Sequence, residues 1–140
     1  MKDTKQQFEH VIAVCRDLFS KQLHDYGPAW RILRPSSVTE QLELGYAEAA
    51  DMTNEEALVL YDKYAKTSLE LMLAKNHDYD EAWRSMRISS YTDLILMKIY
   101  RTKQIESLSG ETLVSEGIDA NYMDMINYSV FGLIKIEFGD

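Results

Sequence analysis

Positions 24–40 read HDYGPAWRILRPSSVTE and positions 77–93 read HDYDEAWRSMRISSYTD, so the second stretch repeats ten of the 17 residues of the first. The copies are 53 residues apart, and the apolar pattern before them also aligns, since Leu18 corresponds to Leu71. Self-similarity of this kind indicates an internal duplication, in which each copy builds an equivalent piece of the fold. The chain is therefore predicted to contain two repeats.

A second pair of similar stretches has a different spacing. QLELG at positions 41–45 resembles KIEFG at positions 135–139, which lies 94 residues further on. The first repeat therefore has no counterpart of residues 94–134. We predict that about 41 residues are absent from this sequence near positions 40–42, because a half-bundle without them leaves a large apolar face uncovered. A natural deletion is the alternative.

The period of the apolar residues is that of a helix through most of the chain, because they recur every three or four positions. The sequence TNEE begins one helix, since Glu56 lies three residues after Thr53 and can complete a capping box. No stretch alternates polar and apolar residues as a strand does. We predict an all-α helical bundle, a single domain over residues 1–140, with a truncated first repeat at 1–52 and a second at 53–140.

Two further helices are predicted in the second repeat. One covers residues 90–107 and places Leu94, Met97 and Ile105 inward. The other covers residues 116–138. The residues predicted to form its inner face are Ile118, Tyr122, Met125, Ile126, Ser129, Leu133 and Ile136.

Charge and composition limit the partners and the compartment. The 140 residues carry a net charge of −8, which argues against nucleic acid but allows phosphorylated small molecules that bind through a cation. The single cysteine, Cys15, excludes an intramolecular disulfide and suits a reducing compartment. The polar N-terminus predicts no secretory signal, and no apolar run approaches the roughly 18 residues that cross a bilayer. A cytoplasmic protein without a membrane partner is expected.

The repeated loop carries several side chains that can bind a ligand. Asp78, Asp80 and Glu81 lie beside His77, and three carboxylates this close can hold a hard cation such as Mg²⁺. The alternative is a solvated turn in which Asp78 caps the next short helix. Trp83 either seals the loop onto the bundle or stacks on a base.

The last predicted helix is mostly apolar, yet it contains Asp124 and Asn127 one turn apart. Glu116 lies on the same line of the helix. An unpaired carboxylate among apolar neighbours is unfavourable, so these residues form either a buried structural network or a ligand site. Lys98 and Arg101, one turn apart on the preceding helix, have two natural partners, which are Asp124 and a phosphate.

Three stretches in order resemble a known family: KNHDYDEAW at 75–83, DLILMKIYRTKQIE at 93–106 and EGIDANYMDMINYSVFGLI at 116–134. The resemblance is to nucleotide modification associated domain type 1, a family of small all-helical proteins frequent in phages and bacteria, with duplicated versions. It covers residues 54–140, and 8–45 in part. The family pattern maps onto Lys75, Asp78, Tyr79, Trp83, Lys98, Arg101, Glu116, Asp124, Asn127 and Tyr128.

That family is in turn similar to the all-α nucleoside triphosphate pyrophosphohydrolases, the MazG-like and dimeric dUTPase-like enzymes. They bind Mg²⁺ through Glu-x-x-Glu and Glu-x-x-Asp on two helices and cleave a nucleotide between its α and β phosphates. This chain has no Glu-x-x-Glu in its second helix and has Asp-x-x-Asn in its fourth. Because the relatives form dimers, the resemblance implies a MazG-like pseudo-dimer within one chain, or a homo-oligomer.

The resemblance implies a nucleotide-binding protein. The more specific function that it implies is that of a Mg²⁺-dependent nucleoside triphosphate pyrophosphohydrolase. The alternatives are a non-catalytic binding module for modified or ordinary nucleotides and a protein-interaction scaffold. No catalytic residue is assigned. The implied Mg²⁺ ligands are Asp78, Glu81, Glu116 and Asp124. The implied nucleotide-binding residues are Lys75, Tyr79, Trp83, Lys98, Arg101 and Asn127.

Overall fold

The computed structural model of the chain describes residues 3–27, 52–108 and 117–139, apart from the side chain of Glu106. The prediction of an all-α fold is confirmed for these residues, which contain α-helices and no strand. None of the helices in the described ranges is both long and apolar enough to span a membrane. The elements are α1 (Thr4–Tyr26), α2 (Asn54–Tyr79), a 3₁₀ helix (Ala82–Ser85), α3 (Ile88–Ser107) and α4 (Ile118–Phe138).

The junction at which residues were predicted to be absent, near positions 40–42, lies outside the described residues. Most of the first copy of the repeated loop lies outside them too. The two-repeat architecture, the single domain and the MazG-like pseudo-dimer therefore stay predictions.

The start of α2 has the predicted capping box. The backbone N–H of Thr53 donates to Glu56 Oε2 at 2.9 Å, and the backbone N–H of Glu56 donates to Thr53 Oγ1 at 3.2 Å. Two backbone donors that the helix itself leaves without partners are thereby satisfied. The predicted helix start is confirmed.

The ends of α1 and α2 fall at matching positions of the two predicted repeats. The helices end at Tyr26 and Tyr79, and the next residue of each, Gly27 or Asp80, has a positive φ, 63° and 46°. In each case the N–H of that residue donates to the carbonyl oxygen four residues earlier, at 2.9 and 3.0 Å. The backbone therefore leaves both helices by the same left-handed turn, a conformation that Gly adopts readily and that Asp tolerates.

This turn makes Gly27 sensitive to substitution. No described atom lies within 4 Å of a Cβ added at Gly27, so the effect of Gly27→Ala comes from the left-handed backbone alone. We expect a loss of about 1 kcal/mol in the free energy of unfolding, measured by urea denaturation. Gly27→Asn is the control and should lose less, because Asn tolerates this conformation. Equal stability of the Ala variant and the wild type would contradict the assigned turn.

The chain divides into two compact units. The larger unit comprises Met1–Ile12 and Ala65–Asp140, and the smaller unit comprises Ala13–Tyr64. In the larger unit α3 packs along α4. Its core contains Phe8, Val11, Met72, Trp83, Tyr91, Ile105, Ile118, Val130, Phe131 and Ile134.

In the smaller unit the second half of α1 faces the first half of α2. Arg16 donates to both carboxylate oxygens of Asp62, at 2.7 and 3.1 Å, and the Phe19 and Tyr61 rings stack with centroids 5.5 Å apart. All the residues predicted to form the functional site lie in the other unit.

The predicted inner face of α4 is wrong in the C-terminal half of the helix, whereas Tyr122, Met125 and Ile126 in the N-terminal half are half-buried. Ile118 is buried as predicted, but Ser129 is exposed, and Leu133 and Ile136 are 41% and 64% exposed. On α3, Met97 was also predicted to point inward and is exposed. The buried face of α4 carries two asparagines and Asp124, whose charge Lys75 and Lys98 compensate, and apolar periodicity cannot identify such a face. Its members are Ile118, Asn121, Asp124, Asn127, Val130, Phe131, Gly132 and Ile134.

Candidate functional site

Asp124 binds two lysines that come from two other helices. Lys75 Nζ of α2 lies 2.7 Å from Asp124 Oδ1, and Lys98 Nζ of α3 lies 2.8 Å from Oδ2. The side chains of Asp124 and Lys98 are 8% and 15% exposed, while that of Lys75 is 47% exposed. We call these three residues the Asp124 cluster; it links α2, α3 and α4 through charge-assisted hydrogen bonds.

Two opposing effects set the charge of this cluster. Burial raises the pKa of Asp124, but the hydrogen bonds and positive charges of Lys75 and Lys98 outweigh burial and hold that pKa below its ordinary value. Asp124 is therefore ionised at neutral pH. Lys75 is half-exposed, so an anion from solvent can approach the Asp124 cluster at its ammonium group.

The Asp124 cluster belongs to a buried polar stripe on α4. Asn121, Asp124 and Asn127 are spaced three residues apart and all three are buried. Asn121 Nδ2 donates to the carbonyl oxygen of Gly117 at 3.1 Å. Sequence reasoning missed Asn121, although a polar residue three positions before Asp124 on a mostly apolar helix was a usable signal.

Beside this stripe lies a cavity of about 120 Å³. The exposed Tyr79 is at its mouth, and the Asp124 cluster forms part of its wall through Lys75 and Asp124. The lining residues are Met72, Lys75, Asn76, Tyr79, Ala82, Trp83, Asp124, Asn127, Tyr128 and Phe131. Four of these ten are aromatic, so the cavity combines flat apolar surfaces with a charged edge.

The inner wall of the cavity is a pair of stacked aromatic rings. Trp83 and Phe131 lie nearly parallel, at an interplanar angle of 7° with centroids 4.3 Å apart. The Arg84 guanidinium carbon also lies 4.3 Å from the centroid of the Trp83 ring, within the range of a cation–π contact. Tyr91 donates its hydroxyl hydrogen to the backbone oxygen of Trp83. These contacts fix the indole in place.

Arg84 in turn is held by the first turns of α1. Its Nη2 donates to Thr4 Oγ1 and to Gln7 Oε1, both at 2.7 Å, and its Nε donates to Glu81 Oε2 at 2.7 Å. Thr4 Oγ1 donates to the other carboxylate oxygen of Glu81. We call Thr4, Gln7, Glu81 and Arg84 the Arg84 network. It holds Glu81 in a left-handed backbone conformation, with φ 51°.

The predicted Mg²⁺ ligands are in different surroundings in this structure. Asp124 is bound by lysines, Glu81 belongs to the Arg84 network, and exposed Asp78 accepts from His77 Nδ1 at 3.2 Å. Glu116 lies outside the described residues. Within the described ranges, no group of three or more His, Cys, Asp or Glu side chains is arranged to hold a metal ion. The Mg²⁺ site stays a prediction.

The predicted nucleotide-binding residues are largely brought together. Lys75, Tyr79, Trp83 and Asn127 line the cavity, and Lys98 reaches the same place through Asp124. Arg101 is exposed and is not part of the lining. Sequence reasoning did not assign Met72, Asn76, Ala82 and Phe131 to the site, because their types are common in ordinary helix packing.

Most of the residues that line this cavity come from one segment of the chain, and this segment matches a known family model. Residues 75–136 match the family model for nucleotide modification associated domain 1. The matched segment contains every lining residue except Met72, and it contains Lys98. Comparison with curated proteins and with solved structures found no match. The relationship to MazG-like enzymes stays a prediction.

Proposed function

We propose that this chain is a nucleotide-binding protein and that the nucleotide binds in the cavity of the larger unit. The observation that carries the proposal is the aromatic cavity whose edge is the Asp124 cluster. A nucleotide has a flat base and an anionic phosphate chain. Aromatic faces favour the first and ammonium groups favour the second, and this cavity offers both within one binding site.

The matched family supports the same proposal from an independent direction. The description of its model associates the domain with nucleotide modification, and the match spans the lining residues from Lys75 to Phe131. A protein that takes part in such chemistry needs to hold a nucleotide, with or without cleaving it.

Two finer forms of the proposal differ in the role of the carboxylates. In a Mg²⁺-dependent pyrophosphohydrolase, Asp78, Glu81, Glu116 and Asp124 hold the cation. In a non-catalytic module, Asp124 instead organises Lys75 and Lys98. The occupation of both oxygens of Asp124 by lysines, and of both oxygens of Glu81 by Arg84 and Thr4, favours the non-catalytic module.

Binding is tested by titrating purified protein with nucleoside triphosphates in a calorimeter. We expect Lys75→Met to weaken the affinity about 10-fold, which corresponds to about 1.4 kcal/mol, because the half-exposed cation at the cavity is lost. Lys66→Met is the matched control, since Lys66 lies on α2 and is exposed but does not line the cavity. Absence of binding, or an equal loss in both variants, would contradict the proposal.

Hydrolysis is tested separately by incubating the protein with the same triphosphates and Mg²⁺ and by measuring pyrophosphate. Release of pyrophosphate that depends on both protein and Mg²⁺ supports the pyrophosphohydrolase. Binding of the triphosphate without release supports the non-catalytic module.

A further inference from the structure

The middle of α3 carries an apolar patch on its outward face. Leu96, Met97, Ile99 and Tyr100 are between 42% and 65% exposed. Leu96 and Tyr100 point about 160° away from Lys98 around the helix, because each residue turns the helix by about 100°. Lys98 binds Asp124, so the patch faces away from the Asp124 cluster. Single exposed apolar residues are ordinary, but four within five positions form a surface that a partner can bury.

Opposite charges stand at the two ends of this patch. Asp93 lies one turn before Leu96, Lys103 lies one turn after Tyr100, and both charged side chains are exposed. The spacings along this line of four residues are three, four and three. That alternation keeps the residues in one seam along the helix, as in helices that pair with a second helix.

The residues of this seam are placed symmetrically about position 98. Leu96 and Tyr100 are each two residues from it, and Asp93 and Lys103 are each five residues from it. When two copies of a helix pack antiparallel around a two-fold axis, each residue meets the one that lies equally far beyond the axis in the other copy. An axis at position 98 therefore brings together unlike charges at both ends and apolar side chains between them.

The charges also select the orientation of the two helices. In the antiparallel arrangement, Asp93 of each copy lies beside the partner's Lys103, which gives two ion pairs. In a parallel arrangement in the same register, Asp93 meets Asp93 and Lys103 meets Lys103, and both contacts are repulsive. The face is thus complementary to itself in one orientation, which is the requirement for a symmetric dimer.

We propose that two copies of this chain associate through α3, packed antiparallel about a two-fold axis at position 98. The inference goes beyond nucleotide binding and does not depend on it, since Lys98 and the Asp124 cluster lie on the other side of the helix. The net charge of −8 on each chain opposes association, and the two ion pairs offset this repulsion at the interface. One helix from each copy makes a small interface, so we expect a dissociation constant of about 10–100 µM.

Sedimentation equilibrium over a range of protein concentrations measures this constant. The mass of the wild type should rise with concentration from the 16.2 kDa of one chain towards twice that value. Leu96→Glu should weaken the dimer at least 10-fold, because each copy places a carboxylate in the apolar centre of the interface. Leu18→Glu is the matched control, since Leu18 lies on α1 and both leucines are 57% exposed. It should leave the dissociation constant unchanged.

Charge exchange tests the antiparallel register. Asp93→Lys and Lys103→Asp each place like charges together at both ends of the helix pair, so each variant should dimerise several-fold more weakly than the wild type. The double variant with both substitutions restores unlike charges at both ends and has the net charge of the wild type. It should recover most of the affinity. A double variant no tighter than the single variants would contradict the antiparallel register.

Three other outcomes would overturn the proposal. The first is a wild type that stays monomeric up to about 500 µM, well above the expected dissociation constant. The second is an equal effect of Leu96→Glu and Leu18→Glu. The third is a dimer that Leu96→Glu leaves intact and that Ile136→Glu disrupts, because exposed Ile136 lies on α4 and the contact would then be there. Binding of nucleoside triphosphates should be the same in Leu96→Glu and the wild type, so failure of the dimer is distinguishable from failure of the proposed function.

Discussion

Replacing Asp124 with Asn is expected to lower the free energy of unfolding by about 3 kcal/mol in the absence of any ligand. The amide keeps the shape of the side chain but removes the charge that compensates Lys75 and Lys98. Lys98 is the main source of the loss, because its ammonium group is largely buried and keeps no equivalent partner within the cluster. Lys75 contributes less, since half of its side chain is in water.

Urea denaturation and thermal melts of both proteins provide the measurement. Asp78→Asn is the matched control, because Asp78 is an exposed carboxylate near the C-terminal end of α2, the end that also carries Lys75. This control should change the free energy of unfolding by less than about 0.5 kcal/mol. If Asp124 were instead a Mg²⁺ ligand without a structural role, the variant would keep its stability and lose only Mg²⁺-dependent nucleotide binding. That pattern would contradict the assignment of Asp124 to the lysines.

The pH dependence provides a further check with a definite sign. Because the pKa of Asp124 is lower in the folded state than in the unfolded state, its ionisation stabilises the fold. This contribution is complete above the unfolded pKa of about 4 and is lost as the pH falls through the lower folded value. The difference in stability between the wild type and Asp124→Asn should therefore be constant from pH 5 to neutrality and shrink in acid.

Local sequence signals predicted the helices well. The capping box at Thr53 and the breaks between elements are encoded by neighbouring residues, so the start of α2 and the approximate range of α3 followed from the sequence. Pairing across the bundle is encoded less directly. Lys98 was recognised as a possible partner of Asp124, but Lys75, 49 residues away from Asp124, was assigned only to nucleotide binding and not to this carboxylate.

The error on α4 has a physical origin that applies to other buried sites. Apolar periodicity assumes that the buried face is the more apolar one, and this holds when polar groups have no partners inside. On α4 the lysines compensate Asp124, so this carboxylate is buried while Leu133 and Ile136 are exposed. The unusual position of Asp124 and Asn127 in the helix was a better guide to the site than the apolar pattern.

The contribution of α1 to the site had no signal in the sequence. Thr4 and Gln7 lie far from residues 75–136 and have side chains common on any helix surface. Their role follows only from the fold, which brings the first turns of α1 against Arg84. Arg84 contacts Trp83, so residues outside the matched segment support the wall of the cavity.

Arg84→Met should therefore be the second strongly destabilising substitution, with a loss of about 3 kcal/mol in the free energy of unfolding. The variant removes charge-assisted hydrogen bonds to Glu81, Thr4 and Gln7 together with the cation–π contact to Trp83. Methionine retains much of the volume, so the loss reports on polar contacts and not on a new cavity.

Two further variants make this prediction specific. Arg87→Met removes an exposed arginine three residues later and should change stability by less than about 0.5 kcal/mol. Arg84→Lys keeps the charge but lacks the planar fork, so it should fall between Arg84→Met and the wild type. In a Trp30→Phe background, the fluorescence of Trp83 should change in Arg84→Met and stay constant in Arg87→Met. Equal stability of Arg84→Met and Arg87→Met, with unchanged fluorescence, would show that the first turns of α1 do not position the indole.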